Sequence, residues 1–142
     1  MNIKPMHKNF KVPTKSTAGA GAFDLYMPES GHIEEFADSP VRVKLGFSAE
    51  VPENHVAFLL PRSGVGSNKG LELHNTCGVI DSDYRGEWLA TLNTKLGLPH
   101  EWQAGDRLLQ VLIVPVADVT FNVVDELGDT ERGEGGLGST GL

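Results

Sequence analysis

Apolar and polar residues alternate along this chain in several short runs. Val41, Val43, Leu45 and Phe47 are interleaved with Arg42, Lys44 and Gly46. That period of two predicts a half-buried strand. Residues 56–60 form a continuous apolar run that stops at Pro61, the pattern of a buried strand. Leu71 and Leu73 alternate again, as do Trp88, Ala90 and Leu92. Residues 108–116 are rich in Val, Leu and Ile, and Pro115 marks a strand end or edge there. Val119, Phe121 and Val123 predict one more strand. Turn signals separate these runs: Pro52-Glu-Asn, Ser63-Gly-Val-Gly-Ser-Asn, Gly97-Leu-Pro and Gly105-Asp. No segment keeps a helical period over three turns, and residues 63–68 predict at most one short helical turn. Many short strands at this spacing predict an all-β sandwich, barrel or jelly roll.

The end of the chain breaks the pattern. Residues 128–142 hold six glycines and few core formers. Read alone, they are a frayed tail. The sharper reading is a flexible arm that closes over a ligand, because glycine backbone approaches a phosphate closely and offers unhindered N–H donors. The organisation expected is therefore a β domain over residues 1–127 and an arm over residues 128–142.

At 142 residues the chain suits one domain with a core of its own. Its longest apolar stretches are far below the ~18 residues of a membrane span, and no signal-peptide pattern follows Met1. A lone cysteine, Cys77, excludes an intrachain disulfide framework and any zinc site built from several thiolates. A reducing, cytoplasmic setting is expected. The formal net charge is −7, and Lys and Arg are scattered without a basic run. A long nucleic-acid partner is therefore not expected, although a few local arginines can still serve a small anion. His7, His32, His55, His74 and His100 lack metal-ligand spacing and read as surface or hairpin residues.

Four segments carry candidate chemistry. Pro61-Arg62-Ser63-Gly64 follows a buried strand. It is an ordinary turn when seen alone, or an anion site in which a guanidinium, a hydroxyl and free N–H groups meet phosphate oxygens. In Gly78-Val79-Ile80-Asp81-Ser-Asp83-Tyr84-Arg85, acidic residues crowd the end of a strand-like run. Alone it reads as a solvated hairpin tip, as a general base for water at Asp81, or as an Asp81–Asp83 pair for Mg2+. Arg107 and Gln110 open the strand after Gly105-Asp106, a salt bridge and an edge polar group when read alone. Arg132 precedes the glycine arm, from which an arginine can deliver charge to a phosphoryl transition state. Gly133-Glu-Gly-Gly-Leu-Gly138 satisfies the dinucleotide glycine pattern, but too little chain follows it to open a helix.

Together these segments resemble the homotrimeric dUTPase family. Five motifs occur in the family's order: Ala20-Gly-Ala-Phe-Asp24-Leu, Pro61-Arg-Ser-Gly64, Asn75-Thr-Cys-Gly-Val-Ile-Asp81-Ser-Asp-Tyr84-Arg-Gly86, Gly105-Asp-Arg-Leu-Leu-Gln110 and Arg132-Gly-Glu-Gly-Gly-Leu-Gly-Ser-Thr-Gly141. The resemblance implies a jelly-roll-like, distorted β-barrel subunit. It implies a homotrimer whose sites each draw the first, second and fourth motifs from one chain, the third from another and the arm from the last. The implied reaction is hydrolysis of dUTP to dUMP and pyrophosphate, with Mg2+ held mainly by the substrate phosphates. Asp81 matches the carboxylate that activates water for in-line attack on the α-phosphorus. Tyr84 matches the ring that excludes a 2′-hydroxyl. Asn75, with the backbone of Gly78, Val79, Ile80 and Asp81, matches the hairpin that reads uracil. Arg62, Ser63 and Gly64 match phosphate contacts, and Gln110 matches a group near the α-phosphate. Arg132 matches the arm arginine on the γ-phosphate, with Gly136, Gly138, Ser139 and Thr140 as donors. Asp24 matches the acid that reaches Mg2+ through water only.

The chain departs from the family pattern twice. Leu137 stands where an aromatic usually stacks on uracil, and Ala22 where glycine is usual. Leucine covers a base by apolar contact but loses a stacking contribution of ~0.5–1.5 kcal/mol. The related dCTP deaminases use a glutamate near the base, whereas Asp81 here sits in a hydrolytic motif. A regulatory module that binds dUTP and signals to a protein partner is the alternative of another class. Intact Asp81, Tyr84 and Arg132 speak against a purely non-catalytic one.

Overall fold

A computed structural model describes residues 1–136. It is built from eleven short strands, one α-helix and one 3-10 turn, Lys95–Gly97. The central sheet has the order β2–β11–β6–β8, formed by Phe23–Leu25, Leu109–Pro115, His55–Pro61 and Gly78–Ile80. A second sheet has the order β4–β9–β7, formed by Val41–Lys44, Leu89–Thr94 and Leu71–Leu73. Two antiparallel pairs complete the set: β1 (Ile3–Pro5) with β5 (Phe47–Ala49), and β10 (His100–Trp102) with β3 (Gly31–Ile33). The result is the β-rich, jelly-roll-type subunit expected. Helix α1, Ser63–Lys69, is the short helical turn foreseen after the buried strand, and it stops on Gly70 at φ 67. No helix among the described residues is long and apolar enough to cross a membrane.

The alternation of the sequence becomes the two faces of each strand. On β11, Leu109 and Val111 are buried while Gln110 is half-buried; on β9, Ala90 and Leu92 are buried while Leu89 is exposed. The core gathers Leu25, Leu59, Leu71, Leu92 and Leu109 around Trp88, whose ring lies 4.9 Å from that of Phe47. Burying side chains of this size stabilises the fold by roughly 1.5–3 kcal/mol each.

Three expectations need correction. The run from Val41 to Phe47 is two strands, not one. Gly46 takes φ 76, and a Cβ there would stand 2.9 Å from Cβ of His7. The chain bends at this glycine, so β4 pairs with β9 while β5 pairs with β1. Val119, Phe121 and Val123 form no strand: residues 115–134 are exposed throughout. An alternating segment becomes a strand only when an edge pairs with it, and no strand among the described residues pairs with this one. Last, His100 is not a surface residue. It is 6% exposed on β10, beside the ring of Trp102.

Burial, helped by the charge of Lys69, pushes the His100 pKa below its usual value; Asp106 opposes the shift only weakly. Folded protein therefore holds His100 neutral where the unfolded chain would bind a proton. Stability should fall as pH drops below about 6.5, the ordinary histidine value. Urea midpoints at pH 7.5 and 5.5 should show a smaller acid loss for His100→Phe than for wild type. An equal loss in both would assign the acid sensitivity to other groups.

Candidate active site

Asp24 organises the first cluster. It lies on β2 directly across from Gln110 of β11, which itself faces Leu60 of β6, so the three occupy one row of the central sheet. Its carboxylate is 5% exposed. Oδ1 accepts from Nε of Arg62 at 2.7 Å, and Oδ2 accepts from Nη1 of Arg107 at 3.0 Å and from Oγ of Ser16 at 2.8 Å. Burial of a carboxylate requires such partners. The Arg62 backbone N–H donates to Leu108 at 2.9 Å, and its Nη1 donates to the Arg107 carbonyl at 3.2 Å. Nε2 of Gln110 donates to the Pro61 carbonyl at 3.0 Å. Residues from the first, second and fourth motifs thus form one polar cluster. Ser63 and Gly64 open α1 directly after Arg62, with no side-chain cap on the helix and open space over Gly64. Ala22 does not take positive φ, so its side chain strains nothing.

The second cluster sits on the hairpin between β7 and β8 and the turn that follows. Thr76 takes φ 68 at the tip, the Cys77 N–H donates to Asn75 at 2.7 Å, and Asn75 Nδ2 donates to Cys77 at 3.1 Å. At Gly78 a Cβ would come within 2.9 Å of Cβ of Leu59, so only glycine lets β8 approach β6 here. Beyond Asp81, Nη1 of Arg85 donates to the carbonyls of Ser82 (2.7 Å) and Tyr84 (3.1 Å). The Tyr84 hydroxyl donates to Glu87 at 3.1 Å, and a side chain at Gly86 would collide with the Tyr84 ring. A cavity of about 230 Å3 is lined by Asn75, Gly78, Val79, Ile80, Asp81 and Tyr84, joined by Trp88 and Leu89. Asp83 is not among its walls. Burial pushes the Cys77 thiol up, which disfavours a thiolate in the hairpin.

One chain does not unite the two clusters. Asp81 follows Ile80, which pairs with Ala57, whereas Arg62 follows Pro61 at the far end of β6. Four residues of strand separate those anchors, about 13 Å. Arg132 joins neither cluster; it turns onto its own segment, donating from Nε to Gly135 at 2.8 Å. Gly136 is exposed beside it. Leu137, Gly138, Ser139 and Thr140 lie outside the described residues.

A profile of the dUTPase family matches residues 8–141. The chain belongs to the dUTPase family. It is 37% identical to the deoxyuridine 5′-triphosphate nucleotidohydrolase of Dictyoglomus turgidum over 99% of this chain and 97% of that one. It is 38% identical to the enzyme of the same description from Pasteurella multocida, over 93% and 88%. Among solved structures it is similar to the dUTPase of Staphylococcus bacteriophage 80alpha with dUPNHPP. That match has a TM-score of 0.87 and 25% identity, and covers 99% of this chain and 98% of the other.

Several site residues of this dUTPase-family chain were not legible in its sequence. Ser16 carries no motif signal; only the pairing of Thr14 with Asp24 brings it to the carboxylate. Trp88 reads as a strand residue and Leu89 carries no motif signal, yet both line the cavity. Arg107 forms the ion pair expected of it, with Asp24 as the partner. Replacing Asp24 by Ala would leave two guanidiniums and Ser16 without their acceptor. Because both arginines are partly exposed, the expected loss is about 2–3 kcal/mol rather than the larger cost of breaking a fully buried pair. Urea denaturation measures it, and a variant as stable as wild type would remove the cluster's structural role.

Proposed function

We propose that the protein is a dUTP diphosphatase that releases dUMP and pyrophosphate. The observation that carries this reading is the small cavity whose walls include all six residues expected to read the nucleoside. At about 230 Å3 it is smaller than the ~300–1,000 Å3 of pockets that hold a whole ligand. It suits the nucleoside end alone, with the triphosphate reaching outward. Asn75 and the backbone of Gly78 to Asp81 pair with the uracil edge, which disfavours cytosine because buried polar groups would stay unpaired. A 5-methyl group would meet the hairpin backbone, and the Tyr84 ring, locked by Glu87 and Gly86, leaves no room under the sugar for a 2′-hydroxyl.

Asp81 takes a proton from water as the water oxygen bonds to the α-phosphorus. The bond from that phosphorus to the α–β bridging oxygen breaks, and pyrophosphate leaves. Arg62, Ser63 and Gly64 hold phosphate oxygens, Gln110 orients the α-phosphate and the water, and Arg132 neutralises charge at the γ-phosphate. Mg2+, when bound mainly by the substrate phosphates, would offset their charge. Both oxygens of Asp24 are engaged by arginines and Ser16, so Asp24 would reach the ion only through water.

The separation of Asp81 from Arg62 within one chain supports a homotrimer in which neighbouring copies complete each site. So do the exposed apolar side chains of Val119, Phe121 and Val123, a surface that solvent alone does not favour. The arm, with Leu137 over the base and Gly138, Ser139 and Thr140 as donors, closes from the remaining copy. In a cytoplasmic setting such an enzyme keeps uracil out of DNA and supplies dUMP for thymidylate synthesis.

Pyrophosphate release with Mg2+ tests the reading. dUTP should be hydrolysed at least a hundredfold faster than dCTP, dTTP or UTP. Asp81→Asn should lose most turnover, on the order of 10²-fold or more, while still binding dUTP. Comparable rates with all four nucleotides, or an active Asp81→Asn, would overturn it.

A further inference from the structure

Residues 81–88 carry Asp81 and Tyr84 between strands β8 and β9 and belong to neither. Both ends of this stretch are anchored. Before it, Ile80 pairs with Ala57 of β6. At its far end the Trp88 N–H donates to Phe47, and the Trp88 carbonyl accepts from Leu45, each at 2.9 Å. Glu87, whose side chain is largely buried, takes an ion pair from Lys44 of β4 at 3.3 Å. The middle has no such support. Among the described residues, the backbone of 82–84 is bonded to no strand.

One side chain supplies what the strands do not. The Tyr84 N–H closes a turn onto the Asp81 carbonyl at 3.2 Å. Nη1 of Arg85 reaches back over that turn and donates to the carbonyls of Ser82 at 2.7 Å and Tyr84 at 3.1 Å. No other side chain among the described residues bonds the backbone of 82–84. A guanidinium suits this task, because it is planar and always charged and its donors are fixed in direction. Its Nε lies 3.9 Å from Oε1 of Glu50, with the two side chains 57% and 50% exposed. An ion pair that long and that wet contributes little. The carbonyl bonds are the stronger hold.

The Tyr84 ring and the Asp81 carboxylate therefore stand on a turn whose shape Arg85 sets. The ring is held separately at its tip, where the hydroxyl donates to Glu87, but its base moves with the turn. We propose, resting on the reading of Asp81 and Tyr84 given above, that Arg85 is a positioning residue for the sugar side of the site. By tying the Ser82 and Tyr84 carbonyls, it holds the Tyr84 ring where a 2′-hydroxyl does not fit. It acts through Tyr84, and more weakly through Asp81, and not on a reacting atom. Without it the ring can retreat and admit ribose. Displacements of about 1 Å are enough to change rates by ~10²-fold.

The ratio of kcat/KM for dUTP to that for UTP, measured with Mg2+, tests the assignment. Arg85→Met keeps most of the side-chain length and removes the donors. It should lower kcat/KM for dUTP about tenfold and narrow the dUTP-to-UTP ratio by about the same factor. A merely structural role would reduce the amount of folded enzyme and scale both rates together, leaving the ratio where it was. Glu50→Gln leaves both carbonyl bonds in place and should keep the ratio within about threefold of wild type. Should Arg85→Met fold poorly, Arg85→Gln, shorter and neutral, gives the same comparison and should narrow the ratio by about threefold or more. An unchanged ratio in the Arg85 variant that folds would overturn the proposal, whatever happens to its dUTP rate. A Glu50→Gln enzyme as unselective as Arg85→Met would also overturn it, by giving the turn to the ion pair. A wild-type enzyme that does not distinguish dUTP from UTP would instead defeat the reading of Tyr84 itself.

Discussion

The buried carboxylate of Asp24 is the constraint on which the site depends. Three segments distant in sequence are tied to it: the loop at Ser16, the end of β6 at Arg62 and the start of β11 at Arg107. A carboxylate at 5% exposure is tolerable only with such partners. The same ion pairs that make its burial possible hold two guanidiniums at the surface, facing outward beside Gln110 and the first turn of α1. Structure and the proposed chemistry are coupled at this point: the pairs that stabilise the sheet also fix the guanidiniums proposed to meet phosphate.

The cavity beside Tyr84, proposed to take the nucleoside, depends on a different constraint, close backbone approach. Gly78 lets β8 lie against Leu59, and Gly86 leaves space for the Tyr84 ring. The Asp24 cluster hangs on the end of β6 at Pro61, and Asp81 leaves β8 beside Ala57, four residues back along that strand. That spacing along the strand supports the proposal that more than one copy completes each site. The exposed Val119, Phe121 and Val123 support the same proposal, since nothing among the described residues covers them.

The sequence made much of this legible, and for physical reasons. Strand β9 is long enough to display a period and strands β6 and β11 a sustained apolar run, and the residues around Asp81 are dense in groups that solvent-exposed turns do not require. The short strands β1, β2, β3 and β10 have three residues each, too few for alternation to stand out from chance. Gly46 broke an apparent strand because a single left-handed residue outweighs a continuous pattern. Val119, Phe121 and Val123 had the right period but no edge to pair with. His100 and Ser16 could not be placed from spacing, because the burial of one and the hydrogen bond of the other arise from long-range pairing.

The division of one site between copies is the central claim, and hybrid oligomers test it most directly. Chains inactivated by Asp81→Asn and chains inactivated by Arg62→Ala should each be nearly dead alone. Unfolded and refolded together, they should regain a substantial share of dUTP hydrolysis, because some sites then pair an intact Asp81 with an intact Arg62. Mixed oligomers that form yet stay inactive would place Asp81 and Arg62 of the same chain in one site and contradict the account.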